Sequence, residues 1–150
     1  MITWQLLPFD QLTTHQLYQL LKLRVDVFVV EQTCPYPELD GKDSLENVHH
    51  LMGYKDDELV ACARLLPQNV SYPSVSIGRV ATAQAHRGDG LGHQLLEQAL
   101  LECDKLWPGQ DIEIGAQEHL ETYYNRHGFQ RTSEMYLEDD IPHIDMKFSR

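Results

Sequence analysis

A glycine-rich turn between a strand and a helix is the feature that most constrains the fold of this chain. An apolar strand runs to about Thr82, and the segment Arg87-Gly88-Asp89-Gly90-Leu91-Gly92 then opens a strongly helical stretch. The three glycines leave the backbone N–H groups at the helix start with little side-chain cover. With the helix dipole behind them, such groups favour the binding of an anion. The turn therefore predicts a phosphate-binding loop, although a glycine-rich helix entry that binds nothing has the same sequence.

Two common phosphate-binding motifs are excluded by the residues around this turn. No Gly-Lys-Ser/Thr follows to hold a triphosphate and its metal ion. In a dinucleotide fingerprint that began at Gly88, His93 would replace the third glycine, and no ribose-binding acid follows in a βαβ unit. The pattern that does match is Arg-x-x-Gly-x-Gly, formed by Arg87, Gly90 and Gly92.

A second motif lies further along the chain. Asp111–Ala116 predicts a short buried strand, and the helix that follows ends in Glu121-Thr-Tyr-Tyr-Asn-Arg-His-Gly-Phe129. Gly128 suits the left-handed conformation that ends many helices. The two motifs together resemble GNAT N-acetyltransferases, which carry an Arg-x-x-Gly-x-Gly pyrophosphate loop and an aromatic-Tyr-x-x-x-Gly-Phe signature. The residues in register with the signature are Tyr123, Tyr124, Gly128 and Phe129.

A narrower resemblance, to the ElaA-type branch of the GNAT family, covers almost the whole chain. The segments that carry it are Leu23–Tyr36, Asp40, His49–Leu51, Ile77–Val80 and Ile141–Met146. That branch is poorly defined in substrate. The resemblance therefore indicates the chemistry better than the acceptor.

The order of predicted elements agrees with the GNAT fold. Periodicity and turn signals predict strand, helix, three strands, helix, strand, helix and two strands. The predicted ranges are Thr3–Leu7, a helix from Thr13 or Thr14 to about Val30, His49–Lys55, Glu58–Leu66, Ser74–Thr82, a helix from Leu91 to Trp107, Asp111–Ala116, a helix to Gly128, Arg131–Leu137 and His143–Phe148. This order indicates an α/β protein with a mixed sheet and helices on both faces. The length of 150 residues favours one domain, residues 1–150.

Composition excludes several classes of function. The chain carries 12 Lys and Arg against 23 Asp and Glu, a net charge of −11, which disfavours binding to nucleic acid or to an anionic membrane. The same charge either attracts a cationic amine or serves solubility alone. No signal peptide or apolar run of about 20 residues is present, and three scattered cysteines are typical of reduced thiols in a cytoplasmic protein. The eight histidines lack metal-ligand spacing, so no metal site is expected.

The resemblance implies acetyl-CoA as the co-substrate. The N–H groups of Gly88–His93 and the charge of Arg87 would bind its pyrophosphate, and Asp89 is expected to point to solvent. Backbone groups of Val80 and Thr82 would pair with the pantetheine arm, the Val80 N–H acting as oxyanion donor. Gln117 stands where the family often has an Asn that contacts pantetheine. Tyr124 would be the general acid for the departing thiolate.

The acceptor site is the least specified part of the sequence. In GNAT proteins the segment after the first helix shapes the acceptor pocket, and here Glu31–Val48 carries five carboxylates that would make it strongly negative: Glu31, Glu38, Asp40, Asp43 and Glu46. The predicted general base is His50, with His143 second and Glu31 third. Arg24 is either a salt-bridged anchor or a substrate contact, and the other predicted substrate contacts are Tyr36, Asp40 and His143. The expected acceptor is a small-molecule amine or a protein amine, and the expected assembly is a monomer or homodimer.

Two other classes of function remain open. A GNAT-like domain that binds acyl-CoA and a partner protein without turnover would keep the same loop, although retention of Tyr124 argues against it. An unrelated phosphate-binding α/β module would also carry the glycine turn. In that case the segment from Tyr123 to Phe129 would match the GNAT signature by coincidence.

Overall fold

A computed structural model describes residues 1–150, with eight strands in one sheet and three α-helices. The strands are β1 (Ile2–Pro8), β2 (His49–Lys55), β3 (Glu58–Leu66), β4 (Val75–Thr82), β5 (Ile112–Gln117), β6 (Phe129–Arg131), β7 (Tyr136–Glu138) and β8 (Ile141–Phe148). The helices are α1 (Thr14–Val25), α2 (Leu91–Leu106) and α3 (Glu121–Asn125). The sheet order is β1-β2-β3-β4-β5-β8-β6, with β7 also on β8. All neighbours are antiparallel except β4 and β5, which are parallel.

Helices pack on both faces of this sheet, as the sequence predicts. Leu20 and Leu23 of α1 pack against one face, in a buried cluster that includes Cys62 of β3. The apolar stripe of α2 packs on the opposite face, where Ala61 and Ala63 of β3 belong to the main core. Alternating residues of β3 therefore serve the two layers, as the pleat of a strand requires. The predicted α/β architecture, a mixed sheet with helices on both faces, is confirmed.

The predicted elements agree with the structure except at the end of the first helix and in the predicted strand 131–137. Thr13 caps α1 in a reciprocal capping box with Gln16, but the α-helix ends at Val25 and continues as a π-helical turn over Asp26–Glu31. The predicted strand 131–137 is wrong, because this segment pairs with two separate parts of β8. Phe129 pairs with Phe148 in β6, whereas Tyr136 pairs with His143 in β7. No helix is long and apolar enough to span a membrane.

The sheet opens between β4 and β5. These parallel strands pair only at Val75–Ile112 and Ser76–Glu113, and they diverge beyond that point. On its other edge β4 contains a bulge, because Cys62 pairs with Ala81 while Arg64 pairs with Gly78. Arg79 lies in this bulge with φ 50°, and such an insertion bends the strand. The opening and the bulge together create a cleft in the middle of the sheet.

Candidate active site

Two cavities meet at this cleft. The larger, about 490 Å³, lies between the diverging strands and beneath the segment that follows α1. The smaller, about 360 Å³, runs past the ends of β4 and the π-helical turn toward the start of α2. The residues that line both are Phe28, Gln32, Val80, Gln117, Leu120 and Tyr124. Val80, Gln117 and Tyr124 are therefore brought together at the junction, as expected for residues around a reacting group.

The glycine turn lies at the far end of the smaller cavity, which Arg87 and Gly92 line. Gly90 caps α2 in the left-handed conformation, with φ 77° and no side-chain cap. The N–H groups of Leu91, Gly92 and His93 make no hydrogen bond within the protein. Since unpaired N–H groups at a helix start carry partial positive charge, this turn is suited to a phosphate. Asp89 is exposed, in the outward position predicted for it.

Arg87 and Glu31 form a two-pronged ion pair beside this turn. Arg87 Nη1 and Nη2 donate to the Glu31 carboxylate at 2.5 and 2.9 Å, and Nη2 also donates to the Thr82 carbonyl at 2.8 Å. The hydrogen bond from Arg87 lowers the pKa of Glu31, outweighing burial, which raises it. Glu31 therefore lies on the wall of the smaller cavity as a partner of Arg87. This position disfavours Glu31 as the base.

A cluster of aromatic side chains joins the glycine turn to α3. The Tyr123 hydroxyl donates to the Gly92 carbonyl at 2.5 Å. His93 Nδ1 and His127 Nε2 lie 2.8 Å apart, so one of the two rings donates a proton to the other. Both rings pack against Tyr123. These contacts hold the first turn of α2 in a fixed position relative to α3, which carries Tyr124.

That residue, Tyr124, is buried at the junction with its hydroxyl unpaired. Only 7% of it is exposed, its ring packs edge-on against Tyr123 and Phe129, and its hydroxyl makes no hydrogen bond within the protein. Burial raises its pKa to about 12. The phenol therefore keeps its proton at neutral pH and is available as a proton donor at the junction.

The segment after α1 folds over three arginines. Arg24 donates to Glu38 at 2.6 Å and to Asp43 at 2.7 Å, and it is 1% exposed. Arg64 pairs with Asp40 and Asp43, and Arg79 pairs with Glu38 and Asp40. We call these six residues the arginine–carboxylate cluster. Each carboxylate lies between two guanidinium groups.

The prediction that the carboxylates of Glu31–Val48 make the acceptor pocket strongly negative is wrong, because arginines pair with four of the five. Burial raises the pKa of Asp43, but hydrogen bonds and charge from Arg24 and Arg64 outweigh it, and the net effect is a lowered pKa. The pKa of Asp40 lies below its usual range for the same reason. Burial raises it, but hydrogen bonds and charge, chiefly from Arg64, lower it by more. The carboxylates are ionised but neutralised, while Glu46 is exposed and lines neither cavity. Of the two roles considered for Arg24, the structure supports the salt-bridged anchor.

Two other predicted acceptor contacts do line the larger cavity. Tyr36 donates its hydroxyl proton to Glu38, and the guanidinium of Arg79 lies 5.7 Å from its ring centre. Burial raises the pKa of Tyr36 above its usual range. Asp40 lines the cavity with both its arginine partners. These residues form a polar wall whose charges are largely matched within the protein.

The two predicted histidines differ in position. His50 is 1% exposed, lines neither cavity and has its Nε2 3.0 Å from the Asp43 carbonyl. Burial lowers its pKa. His143 lines the larger cavity, and its Nδ1 lies 2.7 Å from the Ile141 carbonyl. The geometry therefore disfavours His50 as a base that contacts the acceptor and favours His143.

A further group of residues, at and next to the larger cavity, was missed from the sequence. Gly115 and Gln117 of β5 pair with Asp145 and His143 of β8, so all four lie on one face of the sheet. Tyr72 and Tyr136 lie over this face and donate to Asp145. Alternation along Ile141–Met146 already places His143 and Asp145 on the same side of a strand. This alternation could have predicted the pair His143 and Asp145 from the sequence, whereas the two tyrosines come from other segments.

Known proteins resemble this chain in sequence and in structure. Residues 23–150 match the family described as acetyltransferase (GNAT) domain. The protein ElaA of Escherichia coli strain K12 is 47% identical over 146 residues, which cover 97% of this chain and 95% of that protein. The crystal structure of an acyl-CoA N-acyltransferase from Pseudomonas aeruginosa has 48% identity and a TM-score of 0.95, covering 99% of this chain and 100% of that one. The crystal structure of E. coli ElaA has 45% identity and a TM-score of 0.93, with the same coverage.

Proposed function

The chain belongs to the GNAT acetyltransferase family and is an acyltransferase, and we propose that it moves an acetyl group from acetyl-CoA directly to a primary amine. The observation that carries this proposal is the meeting of two cavities at Val80 and Tyr124. One cavity leads to a phosphate-binding turn, and the other opens beside a histidine. Direct transfer requires both substrates to reach one point, and this junction provides it.

The smaller cavity fits the co-substrate at both of its ends. The unpaired N–H groups of Leu91, Gly92 and His93 would hold the pyrophosphate. The edge of β4 that β5 leaves unpaired offers backbone groups near Val80 and Thr82 to an extended amide chain such as pantetheine. When bound, acetyl-CoA supplies an acetyl group that is already activated as a thioester.

Three groups of the chain serve the proposed transfer. The N–H of Val80, next to the bulge at Arg79, would donate to the carbonyl oxygen as that atom becomes negative. The Tyr124 hydroxyl would protonate the departing thiolate. His143 would accept the proton of the amine at Nε2, because a neutral imidazole that donates from Nδ1 to the Ile141 carbonyl has its lone pair on Nε2. Glu138 lies 3.3 Å from that nitrogen.

Binding of acetyl-CoA tests the first part of the proposal. A ligand that binds only the folded protein raises its melting temperature, so acetyl-CoA and CoA should both do so more than ATP or NAD. In Gly92→Val the shift should be lost. Gly92 is helical, its added Cβ would meet Tyr123 only at an ordinary 3.7 Å, and helical side chains point back toward the N-terminus, here over the unpaired N–H groups.

Gln98→Val is the matched control, because it places the same branched residue further along α2 and away from the turn. It should keep the full acetyl-CoA shift. No shift in the unchanged protein at millimolar acetyl-CoA would rule out the co-substrate. A shift without release of free CoA thiol from any amine tested would instead support the non-catalytic acyl-CoA sensor.

A further inference from the structure

We propose that Asp145, with Tyr72 and Tyr136, binds a second cationic group of the acceptor, so that the preferred acceptors are α,ω-diamines and related dications. This inference rests on the proposed function in one respect, namely that the first amine of the acceptor receives the acetyl group. Tyr72 and Tyr136 line the larger cavity, and their hydroxyl groups contact Asp145, which lies two residues along β8 from His143. Neither the glycine turn nor the junction of the cavities contributes to it.

The three side chains converge on one oxygen. Tyr72 and Tyr136 both donate their hydroxyl protons to Asp145 Oδ1, at 2.9 and 2.7 Å. Burial and the hydrogen bond to Asp145 raise the pKa of Tyr136 to about 12 and shift that of Tyr72 in the same direction, so both phenols remain protonated. With their protons committed to Asp145, the two phenol oxygens can only accept hydrogen bonds from a third group. The triad therefore presents acceptor oxygens and one negative charge, which is the complement of an ammonium group.

Asp145 lacks a cationic partner within the protein. Arg64 and Arg79, the two arginines that line the larger cavity, are matched by Glu38, Asp40 and Asp43 in the arginine–carboxylate cluster. Lys42 donates to the Ser71 hydroxyl at 2.8 Å, and Lys147, on the same face of β8 as Asp145, pairs with Asp111. Around the same cavity the Lys42 ammonium contacts only the neutral Ser71 hydroxyl, and the carboxylates Glu138 and Asp139 have no arginine or lysine partner. A partly buried carboxylate without a counter-charge favours a cation from outside.

Gly115 provides the space for this arrangement. It pairs with Asp145 across the β5–β8 ladder, and a Cβ built on it would come within 2.9 Å of the Tyr72 hydroxyl and 3.2 Å of the Tyr136 hydroxyl. A side chain at this position would therefore push the phenols away from the carboxylate. Both phenols and Gly115 line the larger cavity, so the group faces the space in which the acceptor would lie.

The register of the strands sets the distance between the two amine positions. Gln117 pairs with His143 and lies at the junction of the cavities, whereas Gly115 pairs with Asp145 one step further along both strands. Two residues of an antiparallel strand span about 7 Å. An acceptor with one amine near His143 would therefore place a second amine at Asp145 if its nitrogen atoms lie about 7 Å apart. Diaminobutane and diaminopentane are close to this length when extended.

Equilibrium binding to the CoA-saturated protein tests the inference without requiring turnover. Calorimetry would compare α,ω-diamines from diaminoethane to diaminooctane with monoamines of equal length. We expect the best diamine to bind about tenfold or more tightly than its monoamine, the scale of a charge-assisted hydrogen bond. The advantage should peak at intermediate length. Asp145→Asn should bring the ratio of diamine to monoamine affinity close to one.

Glu113→Gln is the matched control. It removes the same charge from the same sheet face, two residues from Gly115, but from a residue that accepts no hydrogen bond from Tyr72 or Tyr136. The ratio should persist in this variant, and an equal loss in both variants would overturn the local site in favour of a general field. Tyr136→Phe should lower the ratio as well, since the ring that stacks on His143 is kept while one acceptor oxygen is removed.

The same amines, assayed for release of free CoA thiol, separate the two proposals. Tight diamine binding that depends on Asp145 but gives no thiol would contradict the proposed transferase activity and support the cation site. Turnover of monoamines and diamines with equal kcat/KM, and with equal affinity, would support the transferase and overturn the cation site.

Discussion

Tyr123 and Tyr124 are adjacent in sequence but have opposite environments. The Tyr123 hydroxyl is bound to the Gly92 carbonyl, whereas the Tyr124 hydroxyl has no partner and lies where the cavities meet. Tyr124 is buried and Tyr123 partly buried, and burial raises the pKa of each phenol. The geometry therefore assigns the proton-donating role to Tyr124 and an architectural role to Tyr123.

Replacing each tyrosine by phenylalanine separates these roles. Tyr124→Phe should lower kcat by about 10²-fold or more, the usual scale of general acid catalysis, with little change in acetyl-CoA affinity. Tyr123→Phe should mainly raise the KM for acetyl-CoA, because it releases the first turn of α2. Steady-state kinetics with the best amine, together with melting shifts, measure both quantities. Equal effects of the two variants on kcat would argue against Tyr124 as the acid.

Among the larger elements, the segment that follows α1 is held by charges rather than by an apolar core. Its residues Glu38, Asp40 and Asp43 close over Arg24, Arg64 and Arg79, which come from α1, β3 and the β4 bulge. Breaking a buried ion pair by removing one partner leaves the other charge buried and incompletely compensated. The arginine–carboxylate cluster therefore fixes the wall of the larger cavity and the bulge beside Val80.

Arg24→Met should lower the free energy of unfolding by about 3 kcal/mol or more. Lys22→Met is the control from the same helix, because Lys22 and its partner Asp26 are 64% and 53% exposed. That exposed pair should contribute little, since solvent screens it and its side chains lose entropy on pairing. Urea unfolding of both variants measures the contrast. Similar unfolding midpoints for the two would show that the buried cluster is not a stabilising anchor.

The cluster also shows what the sequence could and could not predict at this scale. Features that depend on residues close in sequence can be predicted from local patterns. They include the glycine turn, the position of Tyr124, the Thr13 cap and the strands β2 and β3. Pairing of Glu38 with Arg79, 41 residues away, depends on the assembled sheet. A loop of carboxylates read by itself therefore predicts a negative surface, while the fold supplies the counter-charges. The split of residues 129–138 into β6 and β7 was missed for the same reason, because pairing to β8 determines it.

At the scale of the whole molecule, we expect pH to change stability through His50 and activity through His143. His50 is buried beneath the arginine–carboxylate cluster, and burial lowers its pKa. The unfolded chain therefore binds a proton near pH ~6.5 that the folded protein does not bind until lower pH, so stability falls as pH drops below that value. His143 lies on the cavity wall, where protonation would remove a base without unfolding the protein.

A crossed pair of variants should separate stability from activity. In His50→Gln the decline of unfolding free energy as the pH falls below about 6.5 should become shallower, while the pH profile of kcat/KM keeps its shape. In His143→Gln the acidic limb of the kcat/KM profile should disappear, while the dependence of stability on pH is retained.

Below about pH 4 both variants should lose stability steeply, because Asp40 and Asp43, whose pKa values are lowered in the folded protein, become protonated first in the unfolded chain. Urea titrations and initial rates over the same pH series measure the two properties. An acidic limb that disappears in His50→Gln and persists in His143→Gln would return the base to the buried histidine and overturn the assignment made from the cavity wall.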